Sequence, residues 1–300
     1  MKLTKHGQWT LNEAPKTSLE SFAKSYLDKY APLEKSAEVS LFKRFEDKYI
    51  IPKTLRDALE KTLSKHLRPD YPDAKTRYNL MKSTYFDSSD LAMVKHHVSK
   101  AASRFKLRTR DYAPNGKLHK SDFTYLEVKA KHGEVCDKFR IKVPKASMVA
   151  FEKGLPIVPD LQLIKANPHI GVTDLVKRVG DINSAMKTFG LKPSCEVSYT
   201  RKAYSDDRAD DGLRVTFDEG VSHKVLDVVS SAAGESLNKQ DDDSLIKMLN
   251  GYSPDDHIIL EVKHHGHTPD WLNQFLNDHK IVKTQFSKYC YSMAKHASKK

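Results

Sequence analysis

The chain has 300 residues, of which 39% are hydrophobic and 30% are charged. This composition suffices for a folded core, and no apolar run reaches the roughly 18 to 20 residues that a bilayer-spanning helix requires. The 51 lysines and arginines exceed the 39 aspartates and glutamates, giving a formal net charge of +12. Such a balance favours a polyanionic partner: nucleic acid, anionic lipid or a phosphate chain.

The first residues and the cysteines bear on the cellular compartment. Polar sequence follows Met1 without an apolar stretch, so we expect no secretory signal. The three cysteines lie far apart and form no CxxC pair, which gives no disulfide framework and is typical of a reducing environment. We therefore expect a cytoplasmic location.

The sequence is expected to divide into an N-terminal extension and one domain. Residues 1–40 are polar and are predicted to form an extension with one helix around 18–30. Residues 41–297 contain no long Gly, Ser or Pro linker and no break in composition, so they are predicted to form a single domain.

Within the predicted domain, strands alternate with amphipathic helices. The first helix begins at Pro52 and carries Leu55, Leu59 and Leu63 on one side; proline is tolerated in a first turn because its missing N–H has no partner there. Further helices are predicted by apolar spacing over 88–98, 145–153, 173–189, 241–250, 269–278 and 286–297.

The predicted strands share a pattern in which charged and apolar residues alternate. Because side chains alternate between the faces of a strand, each strand has one charged and one apolar face. On the strand at 104–110 the charged face is wholly basic. The pattern occurs over 44–49, 104–110, 125–131, 138–143, 213–218 and 258–263.

Two arrangements account for these charged faces. In the first, an antiparallel sheet turns its charged face to water. The second fits the excess of cations better, since several cations on one side of a strand repel one another unless an anion lies among them. Here the sheet closes into a barrel whose charged interior holds water and a multivalent anion. Arginine forks suit phosphate oxygens, and scattered carboxylates suit Mg²⁺ or Mn²⁺.

Eight short motifs, in order, resemble those of one family. Each is weak alone, and their order makes the set specific. They are RFEDKY (44–49), STYFD (83–87), KLRTRDY (106–112), LEVK (126–129), YTRKAY (199–204), LRVTFD (213–218), LEVK (260–263) and FSKY (286–289). From about residue 41 to about residue 293 the chain resembles the VTC domain, the catalytic domain of polyphosphate polymerases within the CYTH-like triphosphate tunnel metalloenzyme superfamily.

The resemblance implies an α+β fold: an antiparallel β-barrel tunnel with helices packed on the outside. It implies transfer of the ATP γ-phosphate onto a polyphosphate chain with Mn²⁺ or Mg²⁺. The partners would be ATP and polyphosphate or triphosphate, with a membrane-associated protein as a further candidate, and no specific nucleic acid is expected. The alternatives are a metal-dependent inorganic or nucleoside triphosphatase and a non-catalytic module that binds polyphosphate or nucleic acid.

The same resemblance assigns roles to individual residues. The catalytic positions are Lys48, Arg108, Arg110, Lys129, Arg201, Arg214 and Lys288. Further nucleotide- and phosphate-binding positions are Lys106, Lys138, Arg140 and Lys263. The metal positions are Glu261, with Glu46 and Glu127 as further carboxylates.

Two positions depart from what the family pattern leads one to expect. Arg201 shares a strand face with Tyr199, so we expect a bulge or a strand end to turn Arg201 inward. Gln285 stands where longer versions of the closing motif have lysine, and Lys283 lies nearby.

Overall fold

The structure, a computed structural model, describes residues 2–3, 9–10, 18–30, 44–70, 78–114, 121–133, 135–206, 212–226 and 251–297. The strands are β1 (Lys2–Leu3), β2 (Trp9–Thr10), β3 (Arg44–Pro52), β4 (Arg68–Pro69), β5 (Asn79–Asp87), β6 (Ser103–Pro114), β7 (Phe123–His132), β8 (Val135–Pro144), β9 (Lys192–Ser205), β10 (Arg214–Val225), β11 (His257–His265) and β12 (Lys283–Thr284).

The helices frame this sheet in chain order. They are α1 (Leu19–Tyr30), α2 (Arg56–His66), α3 (Ala92–Val98), α4 (Lys145–Glu152), α5 (Leu161–Ala166), α6 (Val172–Thr188), α7 (Asp270–Asp278) and α8 (Lys288–Ala297). A short 3-10 helix, Lys53–Leu55, precedes α2. Among the described residues, no helix is both long enough and apolar enough to cross a membrane.

The predicted helices match the observed ones apart from two late starts, one helix that was not predicted and one prediction that stays untested. The helix expected to begin at Pro52 begins at Arg56, since Pro52 is the last residue of β3 and Lys53–Leu55 form the 3-10 helix. The helix expected over 88–98 begins only at Ala92, because Asp87 and Ser88 lie before it and accept its first backbone N–H groups at 2.9–3.2 Å. Helix α5 was not predicted, since six residues are too few to show a helical period. The helix predicted over 241–250 lies outside the described residues.

Ten strands form one antiparallel sheet. Its order is β12-β3-β11-β10-β9-β5-β6-β7-β8, and β4 pairs with β9 beside this path. The alternating segments at 104–110, 125–131 and 138–143 form the inner parts of longer strands that follow one another as hairpins. Chain neighbours that pair in space are a common arrangement for antiparallel strands, since a short turn suffices to join them.

The expected closure into a barrel is wrong for the described strands. Closure would require β8 to pair with the opposite edge of the sheet, but among the described strands β8 pairs only with β7. On β3, the outer edge is taken by β12, with Lys283 opposite Tyr49. On β8, the side-chain amide of Asn167 bonds both backbone groups of Lys142, at 2.8 and 2.9 Å. The sheet is therefore an open, curled layer.

Two apolar cores cover the convex face of the sheet, as the alternation predicted. One lies beneath α1, α4 and α6 and includes Phe105, Leu107, Val128 and Ile141. The other lies beneath α2 and α7 and packs strand residues such as Val215, Phe217 and Leu260 against those helices. These are the residues that alternate with the charged positions along the strands.

Helix α8 occupies the other, concave side. Its residues Tyr289, Cys290 and Met293 pack against Met81 and Val197 of the sheet in a third apolar cluster. The expectation that all helices pack on the outside is therefore wrong for α8. An amphipathic pattern shows that a helix buries one side, but it does not show which face of the sheet receives it.

Candidate functional site

The charged residues of separate strands converge on the concave face of the sheet, here called the charged face. It carries ten of the eleven predicted cations and all three predicted glutamates, together with Asp218. The residues are Glu46, Lys48, Lys106, Arg108, Arg110, Glu127, Lys129, Lys138, Arg140, Arg201, Asp218, Glu261, Lys263 and Lys288. Ten cations against four carboxylates leave an excess of six positive charges.

The sheet curls enough to bring distant strands of the charged face together. In the strand order, β3 and β7 are six positions apart, which in a flat sheet would be about 29 Å. Yet Lys129 on β7 interacts with Glu46 on β3 closely enough to help lower its pKa. In the same way, Lys138 on β8 helps to lower the pKa of Lys263 on β11. Lys106 on β6 also donates to Ser287, just before α8, at 3.3 Å. The charged face is thus a trough.

At the centre of one wall lies the carboxylate cluster: Arg201, Asp218, Glu261 and Lys288. Arg201 donates two hydrogen bonds to Asp218, at 2.6 and 2.7 Å, and a third to Glu261 at 3.1 Å. Lys288 Nζ lies 2.5 Å from Asp218 and 3.3 Å from Glu261. Burial opposes ionisation of Glu261, but Lys288, Lys48 and Arg201 hold its pKa well below the ordinary value.

Glu46 lies beside the carboxylate cluster and shares a cation with it. The ammonium of Lys48 lies 3.4 Å from Glu46 Oε1 and 3.7 Å from Glu261 Oε1. It also donates to the backbone carbonyl of Phe286 at 3.1 Å. Burial raises the pKa of Glu46, and Lys48, aided by Lys129 and Lys263, lowers it to about 2. Both glutamates therefore carry full negative charge near neutral pH.

Arg201 reaches the charged face without a bulge, so that expectation is wrong. Its strand neighbour on the same side, Tyr199, also points into the trough: the Tyr199 hydroxyl accepts from Arg110 at 3.1 Å, and the ring lies 4.7 Å below Lys288 Nζ. Arg201 stands directly opposite Asp218 in the β9–β10 register. The register irregularity of this pair occurs elsewhere, between Glu219 and Ser222.

A second group, the arginine cluster, surrounds Glu127. Arg108, Glu127 and Arg140 stand side by side on β6, β7 and β8. Glu127 accepts from Arg108 at 2.6 and 2.8 Å and contacts Arg140 at 3.3 Å and Arg110 at 3.9 Å. The hydroxyl of Tyr85 accepts a further bond from Arg108 at 3.0 Å. One carboxylate thus orients three guanidinium groups.

Three lysines of the charged face have no carboxylate within ion-pair distance among the described residues. They are Lys106, Lys129 and Lys138. Burial, reinforced by neighbouring cations, lowers the pKa values of Lys106 and Lys129. A row of ammonium groups with no carboxylate in direct contact is the environment that a polyanion stabilises.

Comparison with known proteins identifies the family. The VTC domain model matches residues 43–297. The chain belongs to the VTC domain family. That family is associated with polyphosphate synthesis, which supports a transferase function related to polyphosphate. The suspected resemblance is thereby confirmed, and α1 lies outside the matched range.

Two solved structures show remote similarity to the chain. The PH1819 protein from Pyrococcus horikoshii OT3 is 11% identical, with a TM-score of 0.39 over 84% of this chain and 99% of that one. The Mediator head module of Schizosaccharomyces pombe is also 11% identical, with a TM-score of 0.32 over 79% of this chain and 90% of that chain. None of the curated proteins matches the sequence.

Two predicted features of this VTC domain lie at the margin of the trough. Arg214, at the start of β10, is 36% exposed and bonds Asp70 at 2.7 and 3.0 Å. Lys283 contacts Asp47, whose side chain lies on the opposite side of β3 from Lys48. Lys283 therefore does not supply the lysine that Gln285 replaces.

The donor set of the VTC domain fits a hard divalent cation in one arrangement. Among the residues described, no group of three or more His, Cys, Asp or Glu side chains converges. Glu46 and Glu261 do converge, since both lie within 4 Å of Lys48 Nζ. One or two carboxylates completed by substrate phosphates and water are the usual ligands of Mg²⁺. Glu127 fits less well because three arginines surround it.

Residues that sequence reasoning did not assign also shape the site. The hydroxyls of Tyr85 and Tyr199 accept from Arg108 and Arg110 at 3.0 and 3.1 Å. Both tyrosines lie on the charged side of their strands, so the alternation could have found them. Asp87 and Tyr289, joined by a 2.8 Å hydrogen bond, connect α3 to α8 beneath the site. No local pattern relates two residues so far apart in the sequence.

Proposed function

We propose that this VTC domain is a polyphosphate polymerase that transfers the γ-phosphate of ATP onto a polyphosphate chain lying in the trough. The observation that carries the proposal is the six-charge excess of cations on one curled face of a VTC domain. A dry site could not hold such an excess, because uncompensated buried charges cost several kcal/mol each. A chain of phosphates supplies the missing negative charge.

The residues divide the work of phosphoryl transfer. The forks of Arg108 and Arg110, oriented by Glu127, suit the paired oxygens of phosphates. Lys106, Lys129 and Lys138, which have no carboxylate partner among the described residues, would bind the polymer. Transfer mainly requires that donor and acceptor be aligned and their charge neutralised, and a terminal phosphate is already ionised near neutral pH. No general base is needed.

Glu261 and Glu46 would hold a divalent cation, Mn²⁺ or Mg²⁺. When bound, the cation would neutralise charge on the phosphate oxygens. Their pKa values lie below the ordinary range, so both carboxylates are ionised and ready as ligands at neutral pH. Lys48 and Lys288, which now contact Glu261, would contact phosphate oxygens as well.

A product assay tests the proposal. The purified protein is incubated with ATP and Mn²⁺, and the products are run on a gel stained for polyphosphate beside an assay for free phosphate. A ladder of polymer is the expected result. Free phosphate alone would instead indicate a triphosphatase, and unchanged ATP a binding module, and either outcome would refute the proposal.

Two variants sharpen the assay. Glu261→Gln removes a metal ligand and is expected to lower turnover by about a hundredfold or more, a loss of the order seen when a single charge-stabilising group is removed. It spares much of the polyphosphate binding, because every lysine and arginine of the charged face is kept. The matched control is Lys82→Ala. Lys82 belongs to the same sheet but lies on the opposite side of β5 from the trough and pairs with Glu196 at 3.1 Å, so its removal leaves the ladder unchanged.

A further inference from the structure

The aromatic corner is a part of the charged face that phosphate binding does not explain. It consists of Tyr112 on β6, Tyr125 on β7 and Arg140 on β8. The two rings stand nearly perpendicular, at 88° with centroids 5.5 Å apart. The guanidinium of Arg140 lies 3.8 Å from the centroid of Tyr125 and 4.8 Å from that of Tyr112. The Arg140 side chain is 44% exposed, so part of it remains accessible to a ligand in the trough.

A site for inorganic phosphate alone has no need of this arrangement. The ring faces donate nothing to phosphate oxygens, and of the two hydroxyls that could, the one of Tyr112 already donates to Glu127 at 3.5 Å. A guanidinium stacked on a tyrosine ring presents a flat, polarisable surface instead. Flat surfaces of this kind bind nucleobases, because every base has a π-face that stacks without a demand for particular hydrogen bonds.

The position of the corner fits a nucleotide. Glu127 joins the corner to the arginine cluster, since its carboxylate contacts Arg140 at 3.3 Å and accepts from Tyr112 at 3.5 Å while also binding Arg108. Arg110 then leads through Tyr199 to Lys288 of the carboxylate cluster. The order along the face is aromatic corner, arginine cluster, carboxylate cluster. A nucleoside triphosphate has the same order: base, inner phosphates, terminal phosphate.

We propose that the aromatic corner is the site of the nucleoside's base, where a purine stacks on the Arg140 guanidinium that Tyr125 supports. This inference rests on the proposed function for its substrate, ATP. It changes the role of Arg140 from a phosphate ligand to a stacking platform. It also predicts that the protein distinguishes a nucleoside triphosphate from inorganic tripolyphosphate, which has the same phosphates and no base.

Titration calorimetry with Mg²⁺-ATP and Mg²⁺-tripolyphosphate tests the inference. Arg140→Lys keeps the charge and removes the planar group, and Tyr125→Leu keeps apolar bulk and removes the ring. Each variant is expected to lose about 5- to 100-fold in ATP affinity, the range of one base–aromatic stack. Each leaves tripolyphosphate affinity within about twofold of the wild type, since the phosphates never touch the stack.

Lys131→Ala is the matched control. Lys131 lies on the same side of β7 at its other end, so its loss changes both affinities by the same factor. The inference is overturned if either test variant weakens both ligands equally, if it weakens neither, or if wild-type protein binds tripolyphosphate as tightly as ATP. Calorimetry needs no turnover, so a protein that discriminates the base but makes no polymer would refute the proposed function and leave the base site intact.

Discussion

Two lysines on the charged face show how local partners decide the behaviour of one residue type. Lys288 has two carboxylates at 2.5 and 3.3 Å, and they raise its pKa although burial opposes this. Among the described residues, one carboxylate lies within ion-pair distance of Lys263, that of Glu46 at 3.8 Å. Burial therefore prevails and lowers the pKa of Lys263 to about 8. Lys288 stays charged over the whole working range of pH, whereas Lys263 titrates within it.

We predict that polyphosphate affinity depends on pH through Lys263. The ammonium is charged below about pH 8 and neutral above it, so affinity falls as pH rises through 8. A hydrogen bond to a charged group contributes about 1.5–3 kcal/mol, so the loss between pH 7 and pH 9.5 is about tenfold or more. Fluorescence titration with tripolyphosphate at a series of pH values measures it.

Lys263→Arg is the control for this prediction. Arginine remains charged throughout, so the variant keeps its affinity at high pH. The ratio of wild-type to variant affinity removes the titration of the ligand itself. If that ratio stays constant between pH 7 and pH 9.5, Lys263 does not titrate in the site.

For individual site residues, the sequence predicted which face of a strand each side chain occupies. Alternation fixes the face of a side chain, so Arg108 and Lys129 were correctly placed in the same trough. Their partners could not be predicted. That Glu127 binds three arginines depends on the register of β6, β7 and β8, which is set by turns and packing across the whole sheet.

Among the elements, α8 has the largest effect on the site. It lies in the trough, and its first residue, Lys288, enters the carboxylate cluster. The next residue, Tyr289, fixes the helix: its hydroxyl donates to Asp87 at 2.8 Å and lies 3.0 Å from Ser194 Oγ, and its ring stacks on Tyr85 at 4.8 Å. Burial raises the pKa of Asp87 to about 6, and the bonds that it accepts from α3 and Tyr289 oppose that rise.

We predict that Tyr289→Phe destabilises the protein by about 1–3 kcal/mol. The ring still fills its space and Asp87 keeps its bonds from the backbone of α3, but the carboxylate loses one hydrogen bond. A hydrogen bond contributes about 0.5–1.5 kcal/mol, or about 1.5–3 kcal/mol when one partner is charged. Chemical denaturation followed by circular dichroism measures the change in the free energy of unfolding. Tyr291→Phe on the same helix is the control, because its hydroxyl bonds no described residue; an equal loss in both variants would contradict the assigned role of the Asp87 bond.

The elements themselves were largely predictable, and their arrangement was less so. Long alternating strands and amphipathic helices follow from apolar periodicity. Periodicity does not predict the side of the sheet on which α8 packs, because both faces offer apolar contacts. These include Phe105 and Leu107 on the convex side and Met81 and Val197 on the concave side. Short elements such as α5 and β12 escape detection because they contain less than two periods of any pattern.

At the scale of the molecule, the sheet is curled and charged as predicted but open. The concentration of cations was visible in the sequence, because composition and parity do not depend on tertiary structure. Closure does depend on it. Among the described residues β8 pairs with no strand of the far edge; β12 pairs with Tyr49 and Lys48 of β3, and Asn167 bonds both backbone groups of Lys142 on β8.

The N-terminal helix α1 is also a whole-molecule feature. It precedes the matched range of the VTC domain, and residues 1–40 were predicted to form an extension. Its residues Leu19, Ala23, Tyr26 and Leu27 are nevertheless buried in the same core as Phe105 of the sheet. Tyr26 packs on Phe105 at 6.0 Å, and Arg178 of α6 donates to its hydroxyl at 3.4 Å. The core therefore continues beyond the family's boundary.

We predict that Tyr26→Ala lowers the stability of the whole domain. Replacing a large buried aromatic by alanine costs about 3–5 kcal/mol, which for a chain of this size lowers Tm by about 6–20 °C. Scanning calorimetry measures it. Lys24→Ala is the matched control on the same helix. The Lys24 side chain is 56% exposed and, among the described residues, pairs with Asp28 alone, so this variant's free energy of unfolding changes by less than about 0.5 kcal/mol. If Tyr26→Ala has the same Tm as the wild type, α1 does not stabilise the core. The N-terminal boundary of the folded domain would then coincide with the start of the family match at residue 43.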